Sequence, residues 1–242
     1  MEPSYAVAAA LVKPLTAVLF RRDFRGQEHI PAEGGAIVAV NHVSIADPFA
    51  VGVYVHDAGR RPRLMGKASV FRLPVIGHLL RGAGQIPVDR HTADARLALA
   101  AAAEAVRSGE VVVIYPEGTT TRDPGYWPMR ARTGVARLAI DTGAPVVPLA
   151  VWGPQEFLGR GGRFRPVPRK TLRALAGPPV DLSAWRDGAA TPDDLRDCTA
   201  AVMRDITALV ARLRGEQPPA VPFDPRAAHS TGPDDDNSRR SA

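Results

Sequence analysis

Between Ala36 and Val40 the chain reads AIVAV, five apolar residues with no polar break. A strand with one wet face alternates, so an unbroken apolar run predicts a strand buried on both faces. Short runs at residues 63–65, 85–88, 111–115 and 145–151 are further strand candidates, bounded by turn residues. Between them the pattern lengthens to a helical period. Thr92 heads an alanine-rich stretch to Arg107 that stops at Gly109, and residues 133–141 read as another helix ending at Gly143. The clearest helix opens at Thr191, where Thr-Pro-Asp-Asp supplies a cap, a first-turn proline and acids against the dipole. Leu195, Cys198, Val202, Ile206, Leu209 and Leu213 then form one apolar stripe that ends near Arg214. Strands alternating with helices predict an α/β fold: one domain, residues 24–214, with a mixed, mostly parallel sheet flanked by helices.

The two ends depart from this pattern. Residues 5–20 are apolar but too few to span a bilayer, and Lys13 and Pro14 interrupt them. Glu2 precedes this run and Arg21, Arg22 and Arg25 follow it, the reverse of a secretory signal. Residues 1–23 are therefore expected to lie at a membrane interface, with the arginines on anionic head groups; the alternative is a helix packed on the core. Residues 215–242 form a tail that turns proline-rich and polar from Gln217 and is expected to be disordered.

The net charge is +6, and the tail, with three arginines against five carboxylates, contributes −2, so the body carries +8. That favours anionic partners. Aromatics make up only 6% of the chain, too sparse for a base-stacking groove, so phosphate or membrane partners are expected and nucleic acid is not. The single cysteine, Cys198, excludes an intrachain disulfide, suits a reducing compartment and falls on the core stripe of the last helix.

Two segments carry candidate chemistry. In NHVSIADPF, residues 41–49, a histidine follows the buried strand directly and an aspartate comes five residues later. The spacing alone is uninformative, since His229 and Asp234 repeat it in the tail. On one helix, five residues turn about 140° and separate the side chains. If the chain turns after Val40 and a helix starts with Asp47 as cap and Pro48 as first residue, His42 and Asp47 meet across the turn. A carboxylate on one ring nitrogen then makes the other a general base. The bland alternative is that Asp47 only caps the helix while His42 bonds a backbone carbonyl.

The second segment, YPEGTTTR at residues 115–122, leaves a strand and turns at Pro116 and Gly118. Exposed backbone N–H groups, threonine hydroxyls and Arg122 together suit a phosphate. Glu117 would repel one, so it either orients an arginine or accepts a bond from an acceptor hydroxyl; the plainer alternative is a turn capped by threonines. Arg90, which ends the run GQIPVDR that starts at Gly84, and Arg132, before Thr133-Gly134, are further candidates beside many solvated cations. His56, His78 and His91 show no metal-ligand spacing and read as surface or packing residues; no metal is expected.

In this order, the pieces resemble the glycerolipid acyltransferase family typified by lysophosphatidic acid acyltransferase. NHVSIADPF resembles its first block, GQIPVDR its second, ending at Arg90, YPEGTTTR its third, and Val147 to Leu149 with Gly153 its fourth. Lys67, Pro74 and Gly77 match a pattern common between blocks, and Arg132 stands where the family often has a cation before glycine. The match covers roughly residues 24 to 180. One position departs: Thr120 stands where the third block usually has arginine, leaving Arg122 and Arg90 to hold the phosphate.

The resemblance implies His42 and Asp47 as the catalytic pair, and Lys67, Arg90, Glu117, Gly118, Thr119, Arg122 and Arg132 as substrate-binding residues. It implies acyl transfer from acyl-coenzyme A or acyl carrier protein, as co-substrate with no cofactor, to the hydroxyl of lysophosphatidic acid, giving phosphatidic acid in phospholipid biosynthesis. Another lysophospholipid or a glycolipid is the alternative acceptor, and a non-catalytic lipid-binding protein is the alternative of a different kind. The expected location is the cytoplasmic face of the cell membrane, peripheral or monotopic.

Overall fold

The central strand of the sheet is the AIVAV run. In the computed structural model, which describes residues 3–89, 94–185 and 190–225, it forms β2 (Ala36–Val40), and all five residues are buried. In chain order the elements are α1 (Pro3–Leu19), β1 (Phe20–Arg25), β2, α2 (Asp47–Asp57), β3 (Pro62–Lys67), α3 (Pro74–Gly82), β4 (Ile86–Val88) and α4 (Asp94–Arg107). There follow β5 (Val111–Ile114), α5 (Gly134–Thr142), β6 (Val146–Trp152), α6 (Pro154–Phe157), β7 (Lys170–Ala176) and α7 (Pro192–Arg214). The sheet order is β1-β7-β6-β2-β5-β3-β4. Only the β6–β7 pair is antiparallel, so the α/β, mostly parallel architecture is as the pattern predicts.

Successive residues of a strand face opposite sides, and both sides are covered. Ile37 and Ala39 share one core with α4, α5 and α7, while Ala36, Val38 and Val40 share the other with α2 and Phe20. Each fully buried valine or isoleucine contributes about 1.5–3 kcal/mol. The register places Ala39 beside Ile114 and Val40 beside Leu149, so β2, β5 and β6 end close together. In open α/β sheets, that carboxyl edge is where ligands sit.

The last helix starts as its sequence dictates: the Thr191 hydroxyl accepts from the Asp194 amide, and the Asp194 carboxylate accepts from the Thr191 amide. Cys198 is buried on its stripe, and burial pushes the thiol up to about 11.

Three expectations need correction. Phe20–Arg25 and Lys170–Ala176 were not foreseen as strands; they pair in parallel at the far edge of the sheet. The boundary drawn at residue 23 therefore falls inside β1, and two of its arginines, Arg22 and Arg25, are engaged within the protein. Arg22 bonds the Thr16 hydroxyl at 2.7 Å and approaches Asp57 at 3.5 Å, and Arg25 pairs with Asp23. Finally, the tail is fastened at two residues: the Arg130 amide donates to the Phe223 carbonyl at 2.9 Å, and the Arg130 guanidinium meets Asp224 at 2.7 Å. Residues 226–242, with His229 and Asp234, lie outside the described residues.

Candidate active site at the ends of β2 and β5

After Val40 the chain leaves the sheet and turns once before α2. Asn41 fixes the exit: its side-chain amide donates to the Val151 carbonyl at 3.1 Å and its oxygen accepts from the Val151 amide at 2.8 Å, tying β2 to β6. The Asp47 Oδ2 accepts from the amides of Val43 at 2.7 Å and Ser44 at 2.9 Å, which closes the turn. Asp47 is thus the first residue of α2 rather than its cap, and Ala46 precedes the helix. The same Oδ2 lies 2.8 Å from His42 Nδ1.

That contact fixes the ring. Asp47 is wholly buried, and burial raises its carboxyl pKa against the lowering effect of the His42 contact and the two amides. With Nδ1 donating to the carboxylate, Nε2 is left as the base. The His42 ring also stacks on Tyr115 at the end of β5, centroids 4.3 Å apart and planes 30° apart. Asp47 Oδ1 and the Tyr115 hydroxyl are both buried with no hydrogen-bond partner among the described residues.

The YPEGTTTR loop holds the His42 backbone from both sides. Glu117 Oε1 accepts from the His42 amide at 2.8 Å, and the Thr121 amide donates to the His42 carbonyl at 2.7 Å. Glu117 Oε2 accepts from the Met129 amide at 3.1 Å. The residue is buried, and burial pushes its carboxyl up to about 8. This corrects the expectation for Glu117: both of its oxygens serve backbone amides, joining the 41–47 turn to the 115–130 segment.

Gly118 adopts φ +74°, and a Cβ there would meet the Arg132 side chain at 3.3 Å, so the exposed arginine lies across this glycine. The Arg132 amide is anchored on the Pro116 carbonyl at 2.9 Å. Thr119 is partly exposed and Arg122 exposed on the same loop. Lys67 is exposed at the end of β3, two strands from β2 and hence about 10 Å away across the sheet. Arg90 and His91 lie outside the described residues. Gly153 in the fourth block has φ +111°, and a Cβ there would fall 2.0 Å from the Thr171 carbonyl oxygen; only glycine allows β7 this close. His56 bonds the Tyr5 hydroxyl and joins α1 to α2, and His78 is exposed. No group of three His, Cys, Asp or Glu side chains able to hold a metal occurs among the described residues.

Sequence reasoning missed Asn41, Tyr115 and Ser44 as site-shaping residues. Ser44 donates to the Leu158 carbonyl at 2.7 Å and so fastens the 41–47 turn to the end of α6. A polar residue at the exit of a wholly apolar strand was the available signal for Asn41; none existed for the stacking of Tyr115.

The chain has relatives among known proteins. The acyltransferase family model matches residues 21–152. An uncharacterised protein of Mycobacterium tuberculosis is 35% identical over 163 residues, covering 62% of this chain and 43% of that protein. The 1-acyl-sn-glycerol-3-phosphate acyltransferase of Bacillus subtilis is 28% identical over 128 residues, covering 53% of this chain and 61% of its own length. The chain thus spans under half the length of the mycobacterial relatives it matches. In fold, the crystal structure of the 1-acyl-sn-glycerophosphate acyltransferase PlsC from Thermotoga maritima matches with a TM-score of 0.66 at 21% identity, covering 89% of this chain and 81% of that one. The family model's span includes His42, Asp47 and the loop that clamps them, and on that match the chain belongs to the acyltransferase family.

Proposed function

We propose that this protein transfers a fatty acyl group from a thioester to the hydroxyl of a lysophospholipid, with lysophosphatidic acid as the first acceptor to test. The observation that carries the reading is the 2.8 Å contact between His42 Nδ1 and Asp47 at a strand exit. His42 Nε2 takes the proton of the acceptor hydroxyl as its oxygen attacks the thioester carbonyl. The tetrahedral intermediate collapses, the C–S bond breaks, and the imidazolium returns its proton to the leaving thiolate, which departs as the thiol and restores neutral His42. Because the thioester is already activated, alignment supplies the rest of the rate. The names of the relatives in Bacillus subtilis and Borreliella burgdorferi, both 1-acyl-sn-glycerol-3-phosphate acyltransferases, support this acceptor.

Lys67, Arg122 and Arg132 lie on the same edge of the sheet as His42 and grip the acceptor phosphate, with Arg90 as a fourth candidate. Thr120, where the family usually has arginine, favours a second reading in which the acceptor is another lysophospholipid. The donor is acyl-coenzyme A or acyl carrier protein, and phosphatidic acid is the product. We place the protein on the cytoplasmic face of the membrane. Supporting this, α1 buries Tyr5 and Thr16 while Val7, Leu11, Leu15 and Val18 form an exposed stripe; no helix among the described residues is long and apolar enough to cross a membrane.

The test is thiol release from acyl-coenzyme A by purified protein across a panel of lysolipids. Acylation of lysophosphatidic acid ahead of the others is the expected result. Vesicle binding without thiol release on any acceptor would refute the enzymatic reading.

A further inference from the structure

Outside the site, the segment from Arg160 to Lys170 reads RGGRFRPVPRK: five cations and no acid in eleven residues. Residues 161–169 are all exposed, and they include Phe164 at 60% and Val167 at 81% relative exposure. Two large apolar side chains held in water among arginines call for a partner that is both apolar and anionic.

The base of this loop is fixed. Leu158 and Phe164 form an antiparallel bridge, the Gly159 amide donates to the Arg163 carbonyl at 2.9 Å, and the Arg165 amide donates to the Phe157 carbonyl at 2.8 Å. Phe164 rests edge-on against Phe157, which rests edge-on against Phe20 at the junction of α1 and β1. Arg169 donates to the carbonyls of Ala17 and Phe20. The loop is therefore fastened to the end of α1 that carries exposed Val18, and through Leu158 and Ser44 to the turn that carries exposed Ile45.

From this we infer that residues 163–169 are a second lipid-docking element, which inserts Phe164 and Val167 among the acyl chains of an anionic bilayer while Arg163 and Arg165 meet its phosphates. The charge complementarity commits the surface to an anionic bilayer, because a soluble acidic partner would leave the two apolar tips unsatisfied. The inference rests on the membrane association proposed above and adds a contact beside the catalytic turn. The bilayer would then lie where an acceptor can reach His42 without crossing water.

The test is co-sedimentation of the whole protein with phosphatidylcholine vesicles, with or without phosphatidylglycerol. The wild type, R163E/R165E and an α1 variant, L11S/L15S, are compared. R163E/R165E is expected to weaken binding to the anionic vesicles at least about tenfold, while its turnover of a short-chain, monomeric lysophosphatidic acid stays at the wild-type level. In F164W, tryptophan emission is expected to shift to the blue on anionic vesicles and to be quenched by spin-labelled acyl chains. Unchanged vesicle binding by R163E/R165E overturns the inference, as does an unquenched F164W. If the α1 variant alone loses binding, membrane association stands and the second element falls; if the wild type binds neither vesicle, both fall. Loss of turnover on the monomeric acceptor would place these arginines in the site and not at the bilayer.

Discussion

His42 and Arg132 belong to the same pair of interlocked loops, yet they are held by opposite means. His42 has its amide on Glu117, its carbonyl on Thr121, its ring nitrogen on Asp47 and its ring face on Tyr115. Arg132 is fixed at its amide by Pro116, and its exposed side chain passes over Gly118. The floor of the site is specified by backbone bonds and burial, whereas the rim is a set of long cations on fixed stems. A proton-transfer group has to be placed within a few tenths of an ångström, so the ordering is done during folding. A phosphate grip tolerates movement and draws on charge at longer range. If this division is right, damage to the floor lowers turnover, and damage to the rim raises the acceptor concentration needed.

The largest effect is expected at His42. His42→Ala should lower kcat about 10³-fold or more, within the range for loss of a general base, with the thermal midpoint little changed. Asp47→Asn keeps one oxygen for the amides of Val43 and Ser44 and for the ring N–H but removes the charge behind the ring, so its kcat should fall less, about 10²-fold, the low end of the same range. Steady-state kinetics with saturating acceptor settles the order. Equal loss of kcat in the two, or a His42→Ala protein at wild-type rate, breaks the assignment.

A smaller and different effect is expected at the rim. Arg132→Ala should raise the acceptor KM about tenfold, the size of one partly screened charge-assisted contact, with kcat within about twofold. Raising the salt concentration should shrink the gap between variant and wild type. A fall in kcat with unchanged KM would move Arg132 from the rim to the floor and erase the distinction.

The same division governs what could be read from the chain. AIVAV and the runs at β5 and β6 are legible because burial on two faces leaves no polar position. FRRDFR is not legible, since at the sheet edge it has one ladder partner and its charges find partners or water. In the site, the meeting of His42 and Asp47 follows from a turn and a helix start, both local features. The place of Asp47 was missed by one residue because its carboxylate serves Val43 and Ser44 rather than the first turn of α2. The role of Glu117 depends on Met129, twelve residues away, and on its own burial, neither of which spacing reveals. Which of the many cations point toward a ligand is equally non-local.

Glu117 offers the finest test of how the floor is held, and the smallest expected effect on turnover. Its carboxyl is pushed up from 4.5 to about 8, first by burial, against the opposing pull of the Met129 and His42 amides. In the unfolded chain it ionises near 4.5; in the folded protein it keeps its proton until about 8. The unfolded state therefore loses its proton first, and the Glu117 contribution to stability falls as pH rises through that window, by at most about 1.4 kcal/mol per unit, then levels off above it. Asp47, also raised by burial, adds a slope of the same sign. Glu117→Gln cannot titrate, so urea unfolding between pH 5 and 8 should show a shallower decline than in the wild type, all other groups being shared. The protonated acid and the glutamine each present one donor to a backbone amide, so each should loosen either His42 or Met129. Accordingly, kcat of the wild type should rise as Glu117 ionises toward pH 8, and the variant should lack that part of the rise. Identical stability slopes in the two proteins would mean that Glu117 already folds as a carboxylate, its two amide bonds having outweighed its burial.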